Sequence, residues 1–115
     1  DSITAWGTGE PTREFLYVKD AAEGILDATE EYNRSEPVNL GSGTEISIRE
    51  LVEAIADVTG FEGEIEWDTS KPDGQMRRCL DTSRAKKYFD WEATTDFETG
   101  LESTAEWFEN KSKYV

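Results

Sequence analysis

Two hydrophobic periods run through this chain, and each predicts its own elements. Ala22, Ile25, Leu26 and Thr29 recur at helical spacing, predicting a helix over about 20 to 31 with these residues on its inner face. Asp20 is placed to cap it, with Glu23 as the return half of a capping box. Ile48, Leu51, Val52, Ile55 and Thr59 line a second helix. Ser47 and Glu50 form its capping box, Ile46 and Leu51 stand as a hydrophobic staple, and Gly60 stops it. A short helix follows Thr82, from Arg84 to Phe89. Thr95 and Glu98 then cap a last helix whose Phe97, Leu101, Ala105 and Phe108 face inward.

Elsewhere the pattern is that of strands. Glu14-Phe15-Leu16-Tyr17-Val18 is rich in aromatic and β-branched residues, Pro37-Val38-Asn39-Leu40 is a compact apolar run, and Glu64-Ile65-Glu66-Trp67 alternates. Residues 1 to 13 read as turn-rich, with Gly7, Gly9 and Pro11. Strands alternating with helices predict the α/β class: a small mixed domain of short strands and about four helices. No repeat, linker or low-complexity segment divides residues 1–115, which read as one domain.

Composition narrows the function. With 36% hydrophobic residues and four Trp, the chain folds and is not a disordered acidic tail. A net charge of −14 argues against nucleic acid, and suits a salt-rich habitat, simple solubility or an acidic partner of basic proteins. The absence of His excludes a Ser-His-Asp triad, a His general base and the common zinc sets. A single Cys excludes an internal disulfide framework and makes a reducing cytoplasm the expectation. No run is long enough to span a membrane, and no leader is evident. Asp1 at the start, with Met76 the only Met, suggests a processed product or a fragment.

Against this acidity, Lys71, Arg77, Arg78 and Arg84 crowd together with only Asp73 and Asp81 among them. Lys71-Pro72-Asp73-Gly74 reads as a tight turn that delivers both arginines to one place. Capture of an anion and a solvated hairpin with incidental charge are both consistent with that cluster. Gly41-Ser42-Gly43 reads as a strand-to-helix turn rather than a phosphate loop, because Ile46 stands where a third glycine belongs. Cys79 follows two arginines, a setting that lowers a thiol pKa, yet no base accompanies it and an apolar strand role fits better. Tyr17, Tyr32, Tyr88 and Tyr114 all lack a Lys four residues on, so no hydride-transfer pair is present.

Taken together, three segments are similar to one family. Trp6-Gly7-Thr8-Gly9-Glu10-Pro11-Thr12-Arg13-Glu14-Phe15-Leu16-Tyr17-Val18-Lys19-Asp20 resembles the WGxGxPxREFxxVxD stretch of the GDP-L-fucose synthase family of extended short-chain dehydrogenase/reductases. Ser70 to Arg78 resembles that family's SKPDGxPRK segment, and Val38 to Gly43 its VNxGxG. The resemblance covers nearly the whole chain but only the C-terminal third or so of the family's.

The resemblance implies the C-terminal part of an extended enzyme without its Rossmann domain. The family's enzymes epimerise GDP-4-keto-6-deoxymannose at two sugar carbons and reduce its ketone with NADPH. Trp6, Arg13, Asp73 and Arg78 fall on positions that contact the GDP-sugar. The NADP fingerprint and the catalytic set would lie upstream, so NADP(H) belongs to the complete enzyme, and this segment alone is expected to bind no cofactor and to be inactive. Its expected partners are a GDP-sugar and either the missing Rossmann domain or a second copy. A free-standing, non-catalytic binding or interaction module of the same fold is the alternative. Met76 replaces a usual Pro, Arg78 a Lys, and Lys19 an Asp; Cys79 matches no catalytic Cys.

Overall fold

In the structure, a computed structural model, residues 1–112 are described; Tyr114 and the end of the 1–115 unit lie outside the described residues. Two small sheets organise the chain. β1 (Ser2–Trp6) and β4 (Glu64–Asp68) are parallel, with Ser2 opposite Glu64 and Trp6 opposite Asp68. β1 occupies part of a stretch read as turn-rich. Ser2 to Ala5 in fact alternates polar and apolar, a strand period masked by the glycines that follow Trp6. The second sheet has the order β3–β2–β5. β3 (Glu45–Ser47) runs antiparallel to β2 (Thr12–Glu14), and β5 (Arg77–Arg78) runs parallel to it.

The predicted strand from Glu14 to Val18 is not formed. β2 ends at Glu14, opposite Glu45 at the start of β3 and one residue past the Arg13–Arg78 pair that closes β5, and α1 (Val18–Glu31) begins only four residues on. Tyr17 is the N-cap, without a side-chain bond. Asp20 therefore caps nothing in α1. It lies inside the first turn, 3% exposed, and accepts bonds from the Thr95 N–H (2.9 Å), the Thr95 hydroxyl (3.1 Å) and the Thr94 hydroxyl (3.2 Å).

The face of α1 is also turned from the one expected. Asp20, Gly24 and Ala28, four residues apart, face inward, while Ala22, Ile25, Leu26 and Thr29 are exposed. The bulk of Trp91 decides this. A Cβ on Gly24 would lie 2.9 Å from Trp91 Cε2 and 3.0 Å from Leu40 Cδ1, so only a glycine lets the helix approach. Val18, Ile25 and Leu26 are left 69%, 59% and 62% exposed, an apolar stripe of a kind that marks interaction surfaces.

α2 (Ile48–Thr59) follows its signals closely. Ser47 accepts from the Glu50 N–H at 3.1 Å, Glu50 accepts from the Ser47 N–H at 2.8 Å, and left-handed Gly60 ends the helix. α3 (Ser83–Phe89) matches the expected short helix after Thr82. α4 (Phe97–Ser112) is held at its start by Asp96, which accepts from the Thr99 N–H and hydroxyl, and not by Thr95, whose own donors go to Asp20. Its Phe97, Leu101 and Ala105 are half-buried as expected, but Phe108 is 65% exposed.

The core is small. Ala85, Phe89 and Trp91 are buried, with Leu16, Ala28, Tyr32, Val38, Leu40, Tyr88 and Ala93 packed around them. Val38 and Leu40 thus fill the core as expected, but their segment pairs with no strand. The radius of gyration is 16.9 Å, against about 13 Å for a compact domain of this length. Few residues are deeply buried because the molecule spreads over 52 × 36 × 22 Å.

Candidate anion-binding site

The basic island does not act as one cluster. β5 is two residues long and alternation sends its arginines to opposite faces of the sheet. Arg77 shares a face with Thr12 and Glu45 and is locked there. Its Nε donates to Glu45 Oε1 at 2.9 Å and its Nη2 to Oε2 at 2.9 Å, while the Thr12 hydroxyl adds a bond to Oε1 at 3.0 Å. The Arg77 hydrogen bonds, then that of Thr12, hold the Glu45 carboxyl below its ordinary range. Arg84 is likewise engaged, donating Nη1–H to the Pro37 carbonyl at 2.8 Å.

Arg78 takes the other face, in register with Arg13 of the neighbouring parallel strand. Adjacent strands lie about 4.8 Å apart, and like charges directly opposite each other are destabilising. Arg13 donates Nη1–H to its neighbour's carbonyl, Thr12 O, at 2.7 Å. Among the described residues neither guanidinium meets a carboxylate, although the chain carries 26 of them. Two unneutralised guanidiniums side by side are suited to an anion that accepts from both.

Trp6 and Asp73 stand just before the two segments that lead into this pair of strands. Trp6 ends β1, 70% exposed, with Lys71 Nζ 5.2 Å from its ring centroid. Asp73, in the turn before β5, accepts the Thr8 N–H on Oδ1 at 2.7 Å and the Thr8 hydroxyl on Oδ2 at 2.8 Å. Loop 7–11 and turn 70–76 run side by side, joined also by Gly7 N–H to Asp68 O and Thr12 N–H to Met76 O. The register brings Arg13 next to Arg78, and these bonds bring Asp73 next to the residues after Trp6.

Sequence reasoning missed the supports. Thr8 was only a residue between glycines, Arg49 and Trp67 only helix and strand positions. Arg49 donates Nη2–H to Thr8 O at 2.7 Å and lies 4.5 Å over the Trp67 ring. A cation in the first turn of a helix runs against the macrodipole, and that local conflict was the available signal.

The glycine loop has a different occupant from the one such loops hold in dinucleotide sites. Gly41–Gly43 leads into β3, not directly into a helix. Glu14 accepts the Gly43 N–H at 3.2 Å and the Leu80 N–H at 2.8 Å, and a carboxylate so placed repels a phosphate. The loop does not fit a cofactor diphosphate. Cys79 also departs from the basic setting read in the sequence: desolvation, then Glu14 and Glu45, push its thiol up, away from a reactive thiolate. No cluster of His, Cys, Asp or Glu among the described residues is arranged for a metal, and no helix there is long and apolar enough to cross a membrane.

With this geometry established, comparison with known proteins gives one consistent result. A family model described as GDP-mannose 4,6 dehydratase matches residues 1–104. The probable GDP-L-fucose synthase 1 of rice (Oryza sativa subsp. japonica) is 41% identical over 106 residues, covering 92% of this chain and 32% of the rice protein. The GDP-L-fucose synthase of Escherichia coli K12 is 37% identical, covering 97% of this chain and 38% of its own. The crystal structure of a GDP-L-fucose synthetase from Naegleria fowleri bound to NADP matches with a TM-score of 0.87 at 31% identity, over 97% of this chain and 36% of that one. The chain thus spans about a third of the length of the curated relatives it matches.

Proposed function

This chain belongs to the GDP-mannose 4,6 dehydratase family and corresponds in fold to the C-terminal part of an extended short-chain dehydrogenase/reductase; from that premise we propose that it is the nucleotide-sugar-binding portion of a GDP-L-fucose synthase-like enzyme. The observation that carries the proposal is the register of Arg13 beside Arg78, free of carboxylates, on one face of the second sheet. A sugar-nucleotide diphosphate offers oxygens to both guanidiniums and relieves their mutual repulsion. Trp6 presents an exposed ring to the nucleoside, and Asp73 fixes the loop that carries it while offering its remaining lone pairs.

In this reading the 3,5-epimerisation and the NADPH-dependent 4-reduction are performed by a Rossmann part of the kind found in extended enzymes, and this segment alone has no reductase activity. NADP(H) is bound by that part; the loop at Gly41–Gly43, filled by Glu14, does not hold it. The exposed stripe of Val18, Ile25 and Leu26 supports a polypeptide partner, either the Rossmann part or a second copy, and weakens the alternative of a free-standing module. An exposed, unpaired Cys79 suits a reducing compartment such as the cytoplasm.

A chemical-shift titration of the 115-residue chain with GDP, repeated with UDP, tests the proposal. GDP should perturb Trp6, Arg13 and the 71–78 segment, and added salt should weaken the effect. Perturbations clustered elsewhere would remove the site assignment.

A further inference from the structure

We propose that Arg49, in the first turn of α2, is a positioning residue for the nucleoside half of the ligand, acting through Thr8 and Asp73; this rests on the nucleotide-sugar reading above. Arg49 holds loop 7–11 at two points. Its backbone N–H bonds to Gly9 O at 3.0 Å, and its Nη2–H to Thr8 O at 2.7 Å. The guanidinium face lies over the Trp67 ring, 4.5 Å from the centroid. Gly9, at φ +78°, is pinned in the angle between them: a Cβ there would stand 2.7 Å from Trp67 Cη2 and 3.0 Å from Arg49 Cβ.

The loop then passes the constraint on. With its carbonyl held by Arg49, Thr8 directs both its N–H and its hydroxyl at the Asp73 carboxylate, at 2.7 and 2.8 Å. Asp73 sits in the turn that carries Lys71, and Lys71 lies against Trp6. One line of contacts therefore runs from α2 to the exposed indole. The guanidinium is suited to its start, since it donates in its plane while its face stacks on an indole. A lysine keeps the charge but not both contacts. The position is unfavourable for α2 itself, because a cation at a helix N-terminus opposes the macrodipole. What the residue stabilises is the loop.

Neither Arg13 nor Arg78 bonds to Arg49, Thr8 or Asp73, and each is held by the strand pairing of β2 with β5, so the diphosphate half should respond less to this line than the nucleoside half. That separation provides the test. The 115-residue chain is titrated with GDP and with inorganic pyrophosphate by chemical shift, as wild type, Arg49→Met, Arg49→Lys and Thr8→Val. Arg49→Met should weaken GDP by about tenfold through lost preorganisation and leave pyrophosphate within about twofold, with the melting temperature lowered by only about 5 °C. Arg49→Lys should recover part of the GDP affinity. A merely structural role would weaken both ligands together, and that result overturns the proposal. So does GDP binding by Arg49→Met equal to wild type. If Arg49→Met fails to fold, Thr8→Val removes the hydroxyl's bond to Asp73 and, within the same loop, its acceptance of the Glu10 N–H; it should lose GDP affinity and keep pyrophosphate, and unchanged GDP affinity refutes the role. Wild type that binds neither ligand overturns the nucleotide reading itself, and this inference with it.

Discussion

Replacing Asp20 by Ala removes the acceptor of three hydrogen bonds at one stroke. The carboxylate is 3% exposed, and it ties α1 to the segment that leads into α4. A bond to a charged acceptor contributes about 1.5–3 kcal/mol net, and a buried donor left without a partner costs about 1–3 kcal/mol. The two threonine hydroxyls can rotate towards other acceptors, but the Thr95 N–H cannot. We therefore expect Asp20→Ala to lose about 3–5 kcal/mol, a large share of the roughly 5–15 kcal/mol that holds a domain together. Asp20→Asn is the internal control. Its amide oxygen still accepts from the Thr95 N–H and its amine donates to the hydroxyls, so the loss should be about 1–2 kcal/mol. Urea unfolding followed by tryptophan fluorescence measures both, because Trp91 donates its indole N–H to the Asp20 carbonyl at 3.2 Å. A loss under about 1 kcal/mol for Asp20→Ala, or equal losses for the two variants, would refute the reasoning.

Three further outcomes are expected. The Glu45 pKa is lowered in the fold, so its lock on Arg77 is whole above the ordinary carboxylate value and is lost as pH falls through the lower folded value. A carboxyl-carbon titration should place its midpoint below 4.5, and Arg77→Gln should raise it; an unchanged midpoint in Arg77→Gln would assign the shift elsewhere. Leu26→Glu, on the exposed stripe, should change stability by less than about 0.5 kcal/mol and reduce self-association in light scattering; a strongly destabilised variant would show that the stripe is covered. NADPH titrated into the chain by calorimetry should give no saturable heat, since Glu14 fills the glycine loop, and micromolar binding would contradict this.

Local signals were legible where no distant group competed for them, whereas the caps expected at Asp20 and Thr95 failed because these two residues bond to each other. The Ser47/Glu50 box and the Gly60 stop follow from chemistry a few positions apart, whereas the hydrogen-bonded turn forms over Asp68–Lys71 and not over the expected Lys71–Gly74, where Gly74 only takes a left-handed φ of +77°. α1 was legible as a helix but not in its orientation. Its strongest apolar stripe faces outward because Trp91, more than sixty residues away, needs the flat side at Gly24. The segment at Val38–Leu40 read as a strand because Val38 and Leu40 make a compact apolar run; both pack against the core, but packing alone does not supply a pairing partner. At the site, the charge of the 71–84 island was visible, but its division was not. Only the strand register puts Arg77 on Glu45 and leaves Arg78 to Arg13. Thr8 was silent, and Arg49 was marked only by its unfavourable place in the first turn of α2, because each acts through a backbone carbonyl or a carboxylate far along the chain.

The central claim is that Arg13 and Arg78 converge on one diphosphate, and a double-mutant cycle in GDP binding tests it most directly. Arg13→Ala and Arg78→Ala should each remove a charge-assisted contact worth about 1.5–3 kcal/mol, or about ten- to a hundredfold in affinity. If both donate to the same anion, the double variant should lose less than the two single losses combined, with a coupling of at least about 1 kcal/mol. Losses that add within about 0.5 kcal/mol would mean that the two guanidiniums act on separate groups, and the shared site would be refuted.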